Sequence, residues 1–227
     1  MNIDQIKKEF PIFDNKVQNN DLVYLDSANS AQKPRVVVDR IYDFYTKEFS
    51  NVGRSVHYLA VAATNLYETT RSSVQRYINA KDKNEIVFTK GATEAINLVA
   101  NTFGQKYLSE GDEVLLTELE HHSNYVPWHF LRKSKNIKIE FAEVNEGGEI
   151  TLDSIEKKIT SKTKIISITH LSNVTGAILP VKEIVKLAHS KNIPVLVDGC
   201  QSAPHLKIDM QDLDCDFYAI SCHKMYG

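Results

Sequence analysis

The sequence has few cysteines and no pattern that would pair them. Only Cys200, Cys215 and Cys222 occur among the 227 residues, and no two of them have a Cys-x-x-Cys spacing. This usage argues against a disulfide framework and against a structural zinc site, so we expect no bound metal. It is typical of a protein that works in a reducing compartment.

Long apolar runs and an excess of one charge are also missing. No stretch approaches the ~20 apolar residues of a membrane-spanning helix, and the amino terminus has charges where a signal peptide needs an apolar run. The net charge of −2 gives no support for a nucleic-acid-binding surface. We therefore expect a cytoplasmic protein that binds neither membranes nor nucleic acids.

What the sequence does contain is an alternation of short β-branched runs with longer amphipathic runs. The short runs predict strands at 85–89, 113–117, 137–141, 164–169, 194–198 and 216–221. The longer runs predict helices at 35–49, 64–77, 93–107, 125–134, 152–159 and 181–191. Because several strands are apolar on both faces, the pattern indicates an α/β fold with a mostly parallel sheet flanked by helices.

The alternation does not extend over the whole chain. Residues 1–80 contain two helical runs around the polar loop 50–57, and we expect them to form an amino-terminal segment packed on the core. Residues 81–227 contain all the predicted strands and would form most of the large domain. Since ligands of such folds bind at the carboxyl ends of the strands, the strand ends are where catalytic residues are expected.

The first strand end predicts an anion site. Strand 85–89 is followed by Lys90 and Gly91, and a helix then begins at Ala92 or Thr93. Free N–H groups, the positive end of the helix dipole and the Thr93 hydroxyl would suit a phosphate. The alternative is an ordinary glycine-containing helix start.

Two further strand ends are followed by polar groups. His121 and His122 come after strand 113–117, and they could be metal ligands, a platform for stacking or surface residues. Metal binding is the least favoured, because no partner ligand has a suitable spacing. Asn173 follows strand 164–169, and its alternative role is in a turn or cap.

The last two strand ends supply an acid and an amine. Asp198 closes an apolar strand, where a buried carboxylate needs a cation or hydrogen-bond donors, unless it only caps a turn. Lys224 follows strand 216–221. A lysine within a site can act as an amine nucleophile toward a carbonyl, although most lysines are merely solvated.

Together these groups match the needs of one cofactor. Pyridoxal 5′-phosphate (PLP) requires an amine for its aldehyde, an acid for its ring nitrogen, a flat side chain against its ring and donors for its phosphate. The strand ends supply all four kinds of group. The sequence therefore predicts a PLP site at the carboxyl edge of the sheet.

Several motifs then agree in order and spacing with one family. They are 24–34 (YLDSANSAQKP), 120–128 (EHHSNYVPW), 169–176 (THLSNVTG), 198–201 (DGCQ), 213–218 (LDCDFY) and 221–224 (SCHK). Over nearly its whole length the chain resembles SUF-type cysteine desulfurases, which are PLP-dependent enzymes of the class V aminotransferase family. The resemblance implies the aspartate aminotransferase-like fold type I.

The resemblance also implies roles for individual residues. Lys224 would hold PLP as a Schiff base, Asp198 would pair with the pyridinium nitrogen, and Gln201 would bond the phenolic oxygen. His122 would stack on the ring and assist proton transfer. The groups that would hold the phosphate are the amide near Ala92 and the side chains of Thr93, Ser221 and His223. The substrate would be contacted by Ala28, His57 and Asn173.

The family reaction removes sulfur from L-cysteine and gives L-alanine and an enzyme-bound persulfide. The resemblance implies a sulfur-acceptor protein of the SUF system, a role in iron–sulfur cluster assembly and a homodimer for the full-length enzyme. In the family, the nucleophilic cysteine, the substrate-binding arginine and a small carboxyl-terminal domain follow the lysine motif. We therefore expect residues 1–227 to be the amino-terminal part of a longer enzyme.

Three residues depart from the family pattern. Cys200 and Cys222 stand where the family usually has Gly or Ala, and we expect both to be small buried residues. Asn29 stands where the family usually has a smaller residue. Two alternatives stay open: a selenocysteine lyase or other class V enzyme, and an inactive fragment that binds PLP or a partner.

Overall fold

The computed structural model describes residues 2–227, which fall into two compact units. The first unit contains the residues up to Tyr77, with Asp82–Ile86 and Cys222–Gly227. The second contains Ile78–Lys81 and Val87–Ser221. No helix in the described part of the chain is long and apolar enough to span a membrane.

The first unit is mainly helical. Its elements are α1 (Ile3–Lys8), the short antiparallel strands β1 (Lys16–Val17) and β2 (Asn20–Asp21), α2 (Arg35–Asp43), which continues as the wider turn Phe44–Glu48, and α3 (Tyr58–Tyr77). Short 3-10 turns cover Pro11–Asp14, Lys83–Glu85 and Cys222–Lys224. The Asn2 side chain caps α1 by accepting the Asp4 N–H, which satisfies one of the free donors of that helix start.

The second unit is built around a five-stranded parallel sheet. Its strands are β3 (Glu113–Thr117), β4 (Lys138–Ala142), β5 (Thr163–Thr169), β6 (Val195–Asp198) and β7 (Phe217–Ala219). Their spatial order is β4-β3-β5-β6-β7, and every neighbouring pair is parallel. All carboxyl ends therefore lie along one edge of the sheet.

Helices precede and connect the strands of this unit. They are α4 (Ala92–Val99), α5 (Gln105–Tyr107), α6 (His122–Lys135), α7 (Leu152–Lys158), α8 (Val181–Ser190) and α9 (Met210–Leu213). The wider turn Ala100–Gly104 joins α4 to α5. Glycine is needed at position 104 in this turn, because a Cβ there would lie only 2.7 Å from the Leu131 side chain of α6.

Alternate strand residues pack on opposite faces of the sheet. Val114 and Leu116 belong to one buried cluster with Trp128 of α6, and Leu115 belongs to another with Ile184 of α8. The period of two residues in a strand produces this division. Because both faces are covered, the central strands are continuous apolar runs, as the sequence predicted.

One predicted strand is wrong. Residues 86–89 form neither a helix nor a sheet strand in the described part of the chain. Val87 and Phe88 are 65% and 39% exposed. A β-branched run forms a strand only when a neighbouring strand takes its hydrogen bonds, and local sequence does not reveal that neighbour.

The remaining elements agree with the predictions within a few residues at most ends. The clearest differences are α3, which begins at Tyr58 rather than at residue 64, and α6, which begins at His122 rather than at residue 125. β7 ends at Ala219 rather than at residue 221, ahead of the 3-10 turn Cys222–Lys224. The predicted α/β fold with a parallel sheet is confirmed. The predicted division at residue 80 stays a prediction.

Candidate functional site

The start of α4 meets the residue that follows β7 by two positions. The Ala92 N–H donates to the Ser221 Oγ at 2.8 Å. Gly91 caps the helix with φ +149°, a region that favours glycine, and a Cβ there would lie 3.3 Å from the same Oγ. A hydroxyl and the free N–H groups of a helix start therefore converge, which is the donor set expected for a phosphate.

A second helix start adjoins the first. The Thr93 Oγ1 and the Ser123 Oγ of α6 are 2.8 Å apart and hydrogen-bonded. The Ser123 N–H donates to the His121 Nδ1 at 3.1 Å, so the side chain of His121 caps α6. His122 is the first residue of α6 and is exposed. The structure thus links Thr93 to the turn that holds His122, and stacking by His122 stays a prediction.

Asp198 provides a buried carboxylate at the end of β6. The residue is 4% exposed, and its Oδ1 accepts the Cys200 N–H at 3.0 Å. Among residues 2–227 no hydrogen-bond donor reaches the other oxygen. A buried carboxylate is costly without a donor or cation, so the second oxygen suits a protonated ring nitrogen. Gln201 is buried in the turn that follows.

Asn173 lies in the loop after β5. The loop is closed by a bridge between Leu171 and Ile178, and Asn173 itself is exposed. β5 is the direct neighbour of β6, and Thr169 pairs in register with Asp198. The strand that leads to Asn173 and the strand that ends at Asp198 are therefore adjacent.

In the first unit, the turn Cys222–Lys224 packs on the segment around Ala31. The His223 carbonyl accepts the Ala31 N–H and the Lys33 ammonium, both at 3.0 Å. Desolvation, followed by the charges of Lys224 and Lys33, lowers the pKa of His223, so its ring is neutral at pH 7. Lys224 is half-buried.

Ala28 and His57 are both exposed residues of the first unit. The His57 Nδ1 accepts the Ala60 N–H at 3.4 Å, so its side chain caps α3. Asn29 is also exposed, and its amide bonds the Asp26 carboxylate at 3.3 Å. Roles of Ala28 and His57 in binding a substrate stay predictions.

The expectation that Cys222 is buried is wrong. Cys222 is exposed because it begins the terminal 3-10 turn instead of continuing β7, and Cys200 is only half-buried. The Cys200 Sγ lies 3.6 Å from the Ser221 Oγ. Burial raises the pKa of Cys215 to about 12, which leaves that thiol protonated and poorly nucleophilic.

Glu120 is a residue of the site that the sequence reasoning missed. Its carboxylate accepts the Thr117 hydroxyl at 2.6 Å, the Thr169 N–H at 2.9 Å and the Asn124 amide at 2.6 Å. Desolvation raises the pKa of Glu120 to about 7. The signal that identified Asp198 was a carboxylate at the end of an apolar strand, and Glu120 lies only three residues after the end of the apolar strand β3.

A second missed group lies behind the Asp198 turn. The Tyr218 hydroxyl is 2.7 Å from the Ser202 Oγ and 3.0 Å from the His170 Nδ1. Burial lowers the pKa of His170 and raises that of Tyr218, so both are uncharged at neutral pH. No sequence signal marked these residues, because their hydrogen bonds join separate strands.

The residues of the second unit fit PLP. The helix start at Ala92 with Ser221 suits a phosphate, and Asp198 offers a carboxylate oxygen for a ring nitrogen. In the described residues, no group of three or more His, Cys, Asp or Glu side chains could hold a metal ion.

Curated relatives cover the whole chain. A probable cysteine desulfurase of Halalkalibacterium halodurans is 48% identical over 227 residues, which are 100% of this chain and 56% of the relative. A cysteine desulfurase of Synechococcus elongatus is 44% identical over 99% of this chain and 36% of the relative. The chain therefore spans about half or less of the length of these relatives.

Solved structures give the same result. The cysteine desulfurase CsdA (S-sulfonic acid) of Escherichia coli matches with a TM-score of 0.88 and 38% identity, over 100% of this chain and 56% of that one. The apo cysteine desulfurase of Thermococcus onnurineus NA1 matches with a TM-score of 0.89 and 36% identity, over 98% and 53%. Residues 23–227 match the family described as Aminotransferase class-V, whose enzymes depend on PLP. The chain belongs to the class-V aminotransferase family.

Proposed function

We propose that the protein is a PLP-dependent cysteine desulfurase, which converts L-cysteine to L-alanine and leaves the sulfur as an enzyme-bound persulfide. The observation that carries the proposal is that two groups lie at the same edge of the sheet. They are a helix start with the Ser221 hydroxyl, which suits a phosphate, and the buried carboxylate of Asp198, which has one oxygen hydrogen-bonded. Relatives named as cysteine desulfurases cover the full length of the chain, which supports the choice of reaction.

Each residue near the cofactor has a distinct task in this proposal. PLP supplies an aldehyde and a ring that takes up electrons from the substrate. Asp198 bonds the ring nitrogen and keeps it protonated, and Gln201 bonds the phenolic oxygen. His122 covers one face of the ring. The phosphate is held by the Ala92 amide with Thr93, Ser221 and His223.

The substrate is handled by a second set of residues. The Lys224 amine would hold the PLP aldehyde, and as a free amine it would accept the proton from the substrate Cα. Asn173 bonds the substrate carboxylate, and Ala28 and His57 line the pocket. The thiolate that attacks the sulfur comes from a cysteine other than Cys215, because that thiol is held protonated.

The family resemblance also suggests a compartment, an oligomeric state and a sulfur acceptor for the full-length enzyme. We propose that the full-length enzyme is a cytoplasmic homodimer of the SUF type, which passes its persulfide sulfur to an acceptor protein for iron–sulfur cluster assembly. The alternative is a selenocysteine lyase or another class V enzyme, which would use PLP in the same site. Comparing sulfide release from cysteine with selenide release from selenocysteine separates the two.

An inactive PLP-binding piece is the second candidate, favoured by the fact that the chain spans about half of its relatives' length. Assays of L-alanine formation distinguish this candidate from the enzyme. If the chain binds PLP but forms no L-alanine, while a longer product of the same gene does form L-alanine, the chain is one part of an active enzyme. Absence of L-alanine from both supports the inactive piece.

The direct test of the site is Lys224→Ala. The protein with PLP should show a visible absorbance band of lysine-bound cofactor, and the variant should lose it. Lys133→Ala, which removes an exposed lysine at the end of α6, is the matched control and should keep the band. A band that persists in Lys224→Ala would remove that lysine from the proposed role.

A further inference from the structure

The Glu120 carboxylate joins three segments of the second unit. Its Oε1 accepts the Thr117 hydroxyl from the end of β3 and the Thr169 N–H from the end of β5. Its Oε2 accepts the Asn124 amide from the first turn of α6. The residue is partly exposed, but its carboxyl group points inward and is desolvated. One side chain therefore ties together two strand ends and a helix start.

The network continues into the core through Asn124. This residue is fully buried, and its Oδ1 accepts the Ser167 hydroxyl at 2.5 Å. Because the oxygen of the amide takes the Ser167 proton, its NH₂ group is directed at Glu120. Buried polar groups that are all satisfied in this way fix a local structure, and leaving one of them unpaired costs about 1–3 kcal/mol.

Both ends of the network lead to residues of the proposed PLP site. Glu120 is followed directly by His121, which caps α6, and by His122. Thr169, whose N–H is bonded to Glu120, pairs in register with Asp198. The carboxylate thus holds the turn before His122 and the strand end beside Asp198 in one arrangement.

We propose that Glu120 is a positioning residue of the PLP site, whose carboxylate fixes the turn that bears His122 against the strand end beside Asp198. This inference rests on the proposed function, because it assigns a task within the same site. The charge of Asp198, at the end of β6, also acts on Glu120 across the intervening strand β5. The three residues that bond Glu120 are uncharged, so they position the carboxylate without neutralising it.

Replacement by glutamine separates the geometry from the charge. In Glu120→Gln, the amide oxygen can still accept from Thr117 and Thr169. The new NH₂ group then faces Asn124, whose amide can turn over, because the Ser167 hydroxyl can accept as well as donate. Glu120→Ala removes every one of these hydrogen bonds. The first variant should keep the positioning and the second should lose it.

The test measures PLP affinity and the visible circular dichroism of bound PLP at saturation, which reports the orientation of its ring. Glu120→Ala should bind PLP about tenfold more weakly, as expected for a lost buried hydrogen bond, and should show a smaller signal per bound PLP. Glu120→Gln should restore both quantities to within about twofold of the wild type. Glu118→Gln is the matched control on the same turn, since the Glu118 carboxylate is exposed and accepts the Val144 N–H at 2.9 Å.

The outcomes separate this inference from the proposed function. If the wild type binds no PLP, both fall. If it binds PLP but Glu120→Ala retains wild-type affinity and dichroism, or Glu120→Gln is as defective as Glu120→Ala, the positioning role is overturned and the proposed function stands. Should Glu120→Ala not fold, Thr117→Val decides. It removes one of the three donors and should weaken PLP binding and dichroism in the same direction, and unchanged values would refute the role.

Discussion

The ring of Tyr218 fills the space that a side chain on residue 199 would need. A Cβ built on Gly199 would overlap that ring and would lie 2.6 Å from its hydroxyl oxygen. Gly199 directly follows Asp198, and its N–H is bonded to the Ala219 carbonyl of β7 at 2.8 Å. The turn that directly follows Asp198 therefore packs closely against β7, and only glycine permits this contact.

Gly199→Ala should disturb the Asp198 turn. Relieving the overlap requires movement of the Tyr218 ring or of the backbone, and such overpacking costs about 1–3 kcal/mol of the free energy of unfolding. Urea denaturation measures the loss, and PLP titration should show weaker binding. Gly147→Ala is the control, because that exposed glycine faces only the flexible Asn145 side chain. Equal stability of the two variants would contradict the steric argument.

Tyr218→Phe tests the polar group behind the same turn. The substitution keeps the ring but leaves the Ser202 hydroxyl and the His170 ring nitrogen without this partner. The free energy of unfolding should fall by about 1–2 kcal/mol, the cost of unpaired buried polar groups. Tyr107→Phe, which alters an exposed tyrosine of the same unit, should change it by less than about 0.5 kcal/mol. A loss in Tyr218→Phe no larger than in this control would show that the hydroxyl contributes nothing.

Sequence pattern identified the sheet well where burial on both faces leaves an unbroken apolar run. Strands β3, β5 and β6 are of this kind, and they were predicted within one residue of their observed bounds. The segment 86–89 has the same composition but is not a sheet strand in the described part of the chain. Strand pairing is a long-range property, so local composition could not distinguish the two cases.

The candidate site shows the same limit. Asp198, Ser221 and Ala92 were found because each follows or starts an element at the expected edge of the sheet. Tyr218 lies inside a predicted strand, and its contact with Gly199 depends on how β6 and β7 pair. The exposure of Cys222 was missed because it depends on where the last strand stops.

The pH dependence of stability should contain a contribution from Glu120. Burial raises the pKa of this carboxyl from 4.5 to about 7 in the folded protein. Below pH 4.5 both states are protonated and the contribution is complete; as pH rises through 7 the folded protein must ionise a buried group and the contribution is lost.

The free energy of unfolding should therefore fall between pH 5 and pH 8, relative to Glu120→Gln, by about 2–3 kcal/mol, since one unit of pKa corresponds to about 1.4 kcal/mol. Urea denaturation of PLP-free protein at several pH values measures the difference. Glu118→Gln should follow the wild type across the range. Parallel pH profiles for the wild type and Glu120→Gln would show that Glu120 keeps an ordinary pKa.

Ser221→Ala tests whether the start of α4 holds the phosphate of PLP. The Ser221 Oγ accepts the Ala92 N–H at 2.8 Å, which leaves its own proton available to a phosphate oxygen. Loss of a hydrogen bond to a charged group costs about 1.5–3 kcal/mol, so PLP affinity should fall by about 10- to 100-fold. Pyridoxal, which lacks the phosphate, should bind the variant and the wild type equally. Ser190→Ala, at an exposed serine of α8, should affect neither ligand. Equal weakening of pyridoxal and PLP binding in Ser221→Ala would place the phosphate elsewhere, because only a contact with the phosphate distinguishes the two ligands.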